Sequence, residues 1–206
     1  MLAATRRLCE ADCFEHGTPR RRFPTGVNMT ENEQPFPLVI VDDGFWTLDF
    51  SQVIIIPPSW IPEPYRKMLV HHVHMTVTVE EYYKETVSIE VLASRRVGES
   101  YGRETLLQIP DKKSVQFGAV RIDLTCCSEA VRNSILDEKT PLGRVLIDNN
   151  VLRRIEPTAF LQITPGPKLA GWFGLTRPET CYGRLGVIFC DDRPAIAVME
   201  ILAPVK

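Results

Sequence analysis

Residues 182–204, YGRLGVIFCDDRPAIAVMEILAP, decide the fold. Two apolar, β-branched runs, GRLGVIF and AIAVMEIL, flank the polar turn CDDRP and read as an antiparallel hairpin. Working outward, the runs ETVSIEVLASRRV, SYGRETLLQI, SVQFGAVRIDL and AFLQIT carry the same signal. Short polar turns separate the first three, so a meander of hairpins is the economical topology. Helical spacing marks EPYRKMLVHH, with Tyr65, Met68 and Leu69 on one face, and MTVTVEEYYK reads as a second short helix. SEAVRNSILDE is a third, with Ser128 as N-cap and Val131, Ile135 and Leu136 facing inward. QVIII is also β-branched, but Pro57, Pro58, Pro62 and Pro64 interrupt the chain just beyond it. PGPKLAGWFGLTRPE reads as a Gly/Pro-rich loop exposing Trp172 and Phe173. Strands grouped with helices, rather than strictly alternating, define an α+β class: an antiparallel sheet of about five or six strands with helices to one side.

The 206 residues suffice for one sizeable core plus a tail. A net charge of −2 gives no electrostatic reason to expect nucleic acid or an anionic membrane surface as partner. No apolar run approaches the roughly 20 residues of a bilayer span. The six cysteines, Cys9, Cys13, Cys126, Cys127, Cys181 and Cys190, lack the paired spacing of a zinc site. With no secretory apolar segment, free thiols and a cytoplasmic location are expected. Residues 1–36 mix Arg6-Arg7 and Arg20-Arg21-Arg22 with acids, unlike a transit peptide, and read as a disordered extension before a domain at 37–206. Met29 is an alternative start.

Phosphate-binding glycine loops, a nucleophile elbow and a convincing Ser or Cys with a His partner are all missing. His71, His72 and His74 in HHVH suit a helix end, where cationic His complements the dipole, better than a metal. No metal and no cofactor are expected. In KTPLGRVL, residues 139–146, Thr140 is a good N-cap and Pro141 fits the first helical position. Gly143 then sits in the first turn, where glycine costs about 0.5–1 kcal/mol relative to alanine. Arg103, if it points inward from its strand, needs an anion, because a buried unpaired guanidinium is very costly. Glu200 poses the same problem on the most apolar strand, and either a salt bridge or a ligand hydroxyl would satisfy it. Arg103, Glu200 and a helix N-terminus together would suit a small carboxylated ring.

These residues resemble the chorismate pyruvate-lyase family over about residues 65–204. KTPLGR matches that family's helix start, and RETLL, residues 103–107, resembles its Arg-Glu-Ile-Leu-Leu strand. The terminal hairpin resembles its Trp-Gly-Arg-Arg-Ser strand and closing Glu-Leu-Phe-Leu-Pro, and Met75-Thr76 matches its Met-Thr. The resemblance implies a six-stranded sheet with helices enclosing the ligand. It implies that Arg103 pairs with a ring carboxylate and Glu200 meets a hydroxyl at the far end. Backbone N–H groups of Leu142 and Met75 would complete the contacts, with Thr140 and Gly143 shaping the helix start. The departures are Leu185 and Gly186 after Gly-Arg, Leu202-Ala203-Pro204 at the end, and an insertion around 165–178.

The activity so implied is cofactor-free loss of pyruvate from chorismate, giving a hydroxybenzoate, most simply 4-hydroxybenzoate. Arg103 would anchor the ring, and Glu200 would orient the hydroxyl or handle a proton. The rival is a non-catalytic sensor for an aromatic carboxylate, as in the ligand domains of GntR-type regulators. Against it, the first 60 residues are Pro-rich and read as too irregular for a helix-turn-helix. A third reading pairs Arg103 with Glu200 in a purely structural role. The expected partner is a small molecule, and the expected assembly a monomer or small homo-oligomer.

Overall fold

Every strand of the computed structural model, which describes residues 50–205, joins a single antiparallel sheet. The strands are β1 (Phe50–Ile56), β2 (Ser88–Val97), β3 (Ser100–Ile109), β4 (Lys113–Asp123), β5 (Arg153–Pro165), β6 (Cys181–Cys190) and β7 (Arg193–Leu202). Their order is β1-β5-β6-β7-β4-β3-β2. The extension assigned to 1–36, with Cys9, Cys13 and Met29, lies outside the described residues.

The sheet has seven strands, not the expected six. The seventh is QVIII, which lies along β5 with Val53 opposite Ile163 and Ile55 opposite Leu161. Pro57 ends this strand rather than preventing it, and an edge position suits a chain about to run into prolines. β5 is longer than AFLQIT suggested, because its register shift beside Pro157 accommodates a residue that cannot donate to the ladder. The hairpin that set the fold is present. Cys190 pairs with Arg193, leaving Asp191 and Asp192 as a two-residue loop at φ 48° and 58°. Both are left-handed, the conformation whose twist matches the flanking strands.

Five α-helices and three single-turn 3-10 helices complete the described fold, the former being α1 (Tyr65–Leu69), α2 (Met75–Tyr83), α3 (Glu129–Leu136), α4 (Leu142–Asp148) and α5 (Pro167–Trp172). The Ser128 hydroxyl accepts from the Val131 N–H at 3.4 Å, capping α3 as its sequence predicts. On one face of the sheet, Val120, Ile122, Ile188 and Val198 pack beneath Val131 and Ile135 of α3 and Val145 and Leu146 of α4. Further along that face, Leu107 and Leu202 pack with Met68 and Leu69 of α1 and Met75 and Val79 of α2.

The opposite face is not bare, and the helices are not all on one side. Phe117, Ala119, Leu185, Met199 and Ile201 are covered by Leu169 and Trp172 of α5. Trp172 stacks on the fully buried Phe117 with centroids 5.5 Å apart and planes inclined by 5°. The segment read as an exposed loop is therefore a short helix that seals the second core. Its Pro167 occupies the first helical position, where the missing N–H costs nothing.

Candidate functional site

Between the two apolar clusters on the α1–α4 face runs a polar row. Strand register sets Thr105 opposite Gly118, Gly118 opposite Glu200, and Glu200 opposite Arg184. Because strand side chains alternate, Arg103 on β3 and Gln116 and Val120 on β4 share this face. Gly118 contributes no side chain, so the row has a gap at its centre. That gap is the floor of a cavity lined by Arg103, Thr105, Gln116, Val198 and Glu200, and roofed by residues 74–76 and 141–143. The atom-free space there amounts to about 490 Å³, open solvent at its mouth included. A Cβ on Gly118 would stand 3.2 Å from Thr105 Oγ1 and intrude on this space.

Arg103 is 1% exposed. Its Nη1 donates to the Ile135 carbonyl at 3.4 Å and its Nη2 to the Thr140 carbonyl at 3.3 Å, both long for a charge-assisted bond. Burial pushes its pKa down, but a guanidinium stays charged. Among the described residues it forms no ion pair. Glu138, whose charge favours the Arg103 cation, accepts instead from the Tyr101 hydroxyl at 2.6 Å. The inward-pointing arginine thus brings a positive charge to the cavity wall, supported by the two carbonyls, a hydrogen bond to the Tyr101 side chain and the charge of Glu138, with no ion pair among the described residues.

Glu200 is not paired with Arg103. Its Oε2 accepts from Arg184 Nε at 2.6 Å, across the β6–β7 pair. Arg184, 1% exposed, also donates through Nη1 to the Leu69 and His71 carbonyls at 3.1 and 3.0 Å, and through Nη2 to the Val73 carbonyl at 3.2 Å. One side chain therefore fixes the Glu200 carboxylate and ties the segment between α1 and α2 to the sheet.

That segment is HHVH, and its histidines hold the backbone in place. His71 Nε2 lies 2.6 Å from the Met68 carbonyl, so it carries the proton, and Nδ1 accepts from the Val73 N–H at 3.2 Å. His72 Nδ1 donates to the Ile155 carbonyl at 3.0 Å. His74 Nε2 accepts from Arg153 Nε at 2.5 Å, which places its proton on Nδ1. Burial, then the Arg153 and Arg184 charges, lowers the His74 pKa to about 4. Burial and Arg184 lower that of His71 as well. His71 and His74, expected as cations at a helix end, are thus held neutral, and His74 is the N-cap residue of the next helix, α2.

Met75, Leu142 and Gly143 line the cavity together with Arg103 and Glu200. Thr140 does not line it, and does not cap α4. Pro141 occupies the cap position in extended geometry at ψ 138°, and its carbonyl accepts from the Val145 N–H at 3.0 Å. Thr140 meets the site only through the carbonyl that accepts from Arg103. Gly143 has a packing role beyond its place in the lining. A Cβ there would lie 2.9 Å from Thr76 Oγ1 and 3.1 Å from His74 Cβ, so its absence lets α4 close on the start of α2. Arg144 completes the contact with an ion pair to Glu80 at 2.5 Å.

Sequence reading missed Arg184, Gln116, Thr105 and Gly118 as site residues. The legible signal was Gly118, an isolated glycine within SVQFGAVRI, where a ligand or another backbone comes close. No cysteine among the described residues lines the cavity, and burial pushes Cys181 up to about 12 and Cys127 and Cys190 to about 11. Among the described residues no group of three or more His, Cys, Asp or Glu is placed to hold a metal, and no helix is long and apolar enough to cross a membrane.

No family model and no curated protein matches the chain. Solved structures do. PhnF from Mycobacterium smegmatis is similar over 66% of this chain and 66% of its own, at 12% identity and a TM-score of 0.52. Its separately solved effector domain is similar over 64% of this chain and 88% of its own, at 12% identity and a TM-score of 0.46. A GntR-family transcriptional regulator from Bacillus cereus is similar over 57% and 92%, at 13% identity and a TM-score of 0.41. At these identities the likeness to PhnF shows a shared α+β fold built on a large antiparallel sheet.

Proposed function

We propose that the cavity over Gly118 binds a small ring carboxylate, and that the domain is a non-catalytic effector-binding module. The observation carrying this reading is Arg103: a guanidinium 1% exposed, on a cavity wall, with no ion pair among the described residues. A buried cation is costly until an anion accompanies it, and a planar carboxylate meets a guanidinium in two parallel bonds. Met75 and Leu142 line the cavity, where their backbone N–H groups would meet the same group, and Glu200 would offer an acceptor to a hydroxyl further along. The fold shared with PhnF, a protein with a solved effector domain, supports binding more than turnover.

Turnover is the second reading, and its specific support is that Arg103, Glu200, Met75 and Leu142 all line one cavity. In that reading chorismate loses its enolpyruvyl ether as pyruvate and a ring proton, and the ring aromatises to 4-hydroxybenzoate. The chain would hold the ring at Arg103 and the hydroxyl at Glu200, and no resident cofactor is needed. Calorimetric titration with benzoate and 4-hydroxybenzoate, alongside incubation with chorismate, separates the two. Binding without pyruvate release is the expected result. Pyruvate formed at enzymatic rates would establish the lyase, and no binding of either acid would remove both.

A further inference from the structure

Gln116 is 4% exposed, lines the cavity, and its Oε1 has no hydrogen-bond partner among the described residues. Buried side-chain oxygens are rarely left without a donor, and one that is calls for an explanation. The amide end stands over the gap in the polar row, since its Nε2 is 3.8 Å from where a Gly118 Cβ would be. The terminal torsion of a glutamine is soft and roughly two-fold, so the oxygen can turn to a ligand without moving the strand.

Register places this acceptor relative to the others. Gln116 and Glu200 lie on adjacent strands two residues apart in register, roughly 8 Å between backbones. Arg103 is roughly 12 Å from Glu200, two strands across and two residues along, and roughly 14 Å from Gln116. The unpartnered Gln116 oxygen and the Glu200 carboxylate, one oxygen of which Arg184 holds, therefore lie at the end of the cavity away from Arg103. The other oxygen nearby, Thr105 Oγ1, already donates to the Gly118 carbonyl at 3.3 Å and has lone pairs left to accept.

We infer that the ligand carries two neighbouring hydrogen-bond donors at the end opposite its anionic group, one met by Glu200 and the other by the Gln116 amide oxygen. The inference rests on the carboxylate reading of Arg103 and narrows it to ring carboxylates with vicinal donors, of the dihydroxy or amino-hydroxy kind. Gln116 is then a specificity-determining residue. A ligand with a single donor leaves the glutamine oxygen buried and unmet, and a site built to bond a hydroxyl discriminates against the analogue lacking it.

The test is a titration of the full chain with benzoate, 4-hydroxybenzoate and 3,4-dihydroxybenzoate, for the wild type and Gln116→Met. In the wild type, 3,4-dihydroxybenzoate should bind about tenfold or more tightly than 4-hydroxybenzoate, the effect of one good hydrogen bond. In Gln116→Met, which keeps the length but removes the acceptor, the ratio of the two affinities should fall to within about twofold. Equal affinities in the wild type would overturn the inference, as would an undiminished ratio in the variant. Should the variant not fold, the wild-type ratio decides alone. Binding of all three acids without preference contradicts only the role of Gln116. Binding of none contradicts the carboxylate reading itself, and the inference falls with it.

Discussion

Arg184 and Glu200 meet across adjacent strands at 2.6 Å, and the same guanidinium holds the carbonyls of Leu69, His71 and Val73. The pair joins the floor of the cavity to the segment that leads into its roof. Removing one partner of a buried ion pair leaves an uncompensated charge and costs about 3–5 kcal/mol. Glu200→Gln should lower stability towards the lower end of that range, because its carboxylate is the more exposed partner. Arg184→Met should do more: it releases three carbonyls, so hydrogen exchange should quicken at residues 70–78. Unchanged exchange there would refute the clamp.

Arg103 makes the opposite prediction. Its charge is buried without an ion pair among the described residues, so an apolar side chain of similar length removes a desolvation cost that two carbonyls, the Tyr101 side chain and the Glu138 charge offset only in part. Arg103→Met should leave the denaturation midpoint equal or higher while weakening carboxylate binding about 100-fold or more, the loss of a bidentate charged contact. A large drop in stability would instead mark Arg103 as structural.

Gly118 should tolerate size in steps. Gly118→Ala brings a methyl to 3.2 Å from a hydroxyl that can rotate, so the fold should survive with weakened binding. Gly118→Val should abolish binding and cost about 1–3 kcal/mol through overpacking. Full affinity in the valine variant would show that the ligand does not sit over this residue.

His74 gives the chain an acid sensitivity. Its folded pKa of about 4 lies below the ordinary 6.5, so the unfolded chain binds the extra proton between these values. Stability is therefore fully present above about pH 6.5 and falls as pH drops towards 4. The loss from pH 7 to pH 5 should be about 2 kcal/mol for this residue. His71, lowered in the same direction, adds to it. Denaturant midpoints at the two pH values check this, and His74→Asn should flatten the difference.

Trp172 stabilises the other face of the sheet. Trp172→Ala should destabilise by about 3 kcal/mol, the usual cost of an aromatic truncation in a core, and leave ligand affinity unchanged. A parallel loss of affinity would mean that the two faces are coupled.

The hairpin at 182–204 and the strands before it were legible because each carries an apolar run and a turn of known chemistry. β1 was not counted, because the prolines behind it outweighed five residues whose pairing is supplied by β5, far along the chain. The Trp172 segment read as a loop for a related reason: nothing local reveals that Phe117 waits beneath it. At the site, Arg103 and Glu200 stood out as charges on apolar strands. Their partners did not, since only strand register sets Arg184 against Glu200 and leaves Arg103 without an ion pair among the described residues. Thr140 looked like a cap because threonine favours that place, yet Pro141 takes it, leaving the Thr140 carbonyl to Arg103. The glycine at 143 serves the approach of two helices as well as the cavity.

The central claim, that Arg103 receives a ring carboxylate, is tested most directly by titrating the wild-type chain with 4-hydroxybenzoate and with its methyl ester. The ester keeps ring and hydroxyl, removes the charge and adds one methyl group. The acid should bind and the ester should bind about 100-fold more weakly, as expected when a buried guanidinium loses its anion. Equal affinities, or binding of the ester alone, would contradict the account.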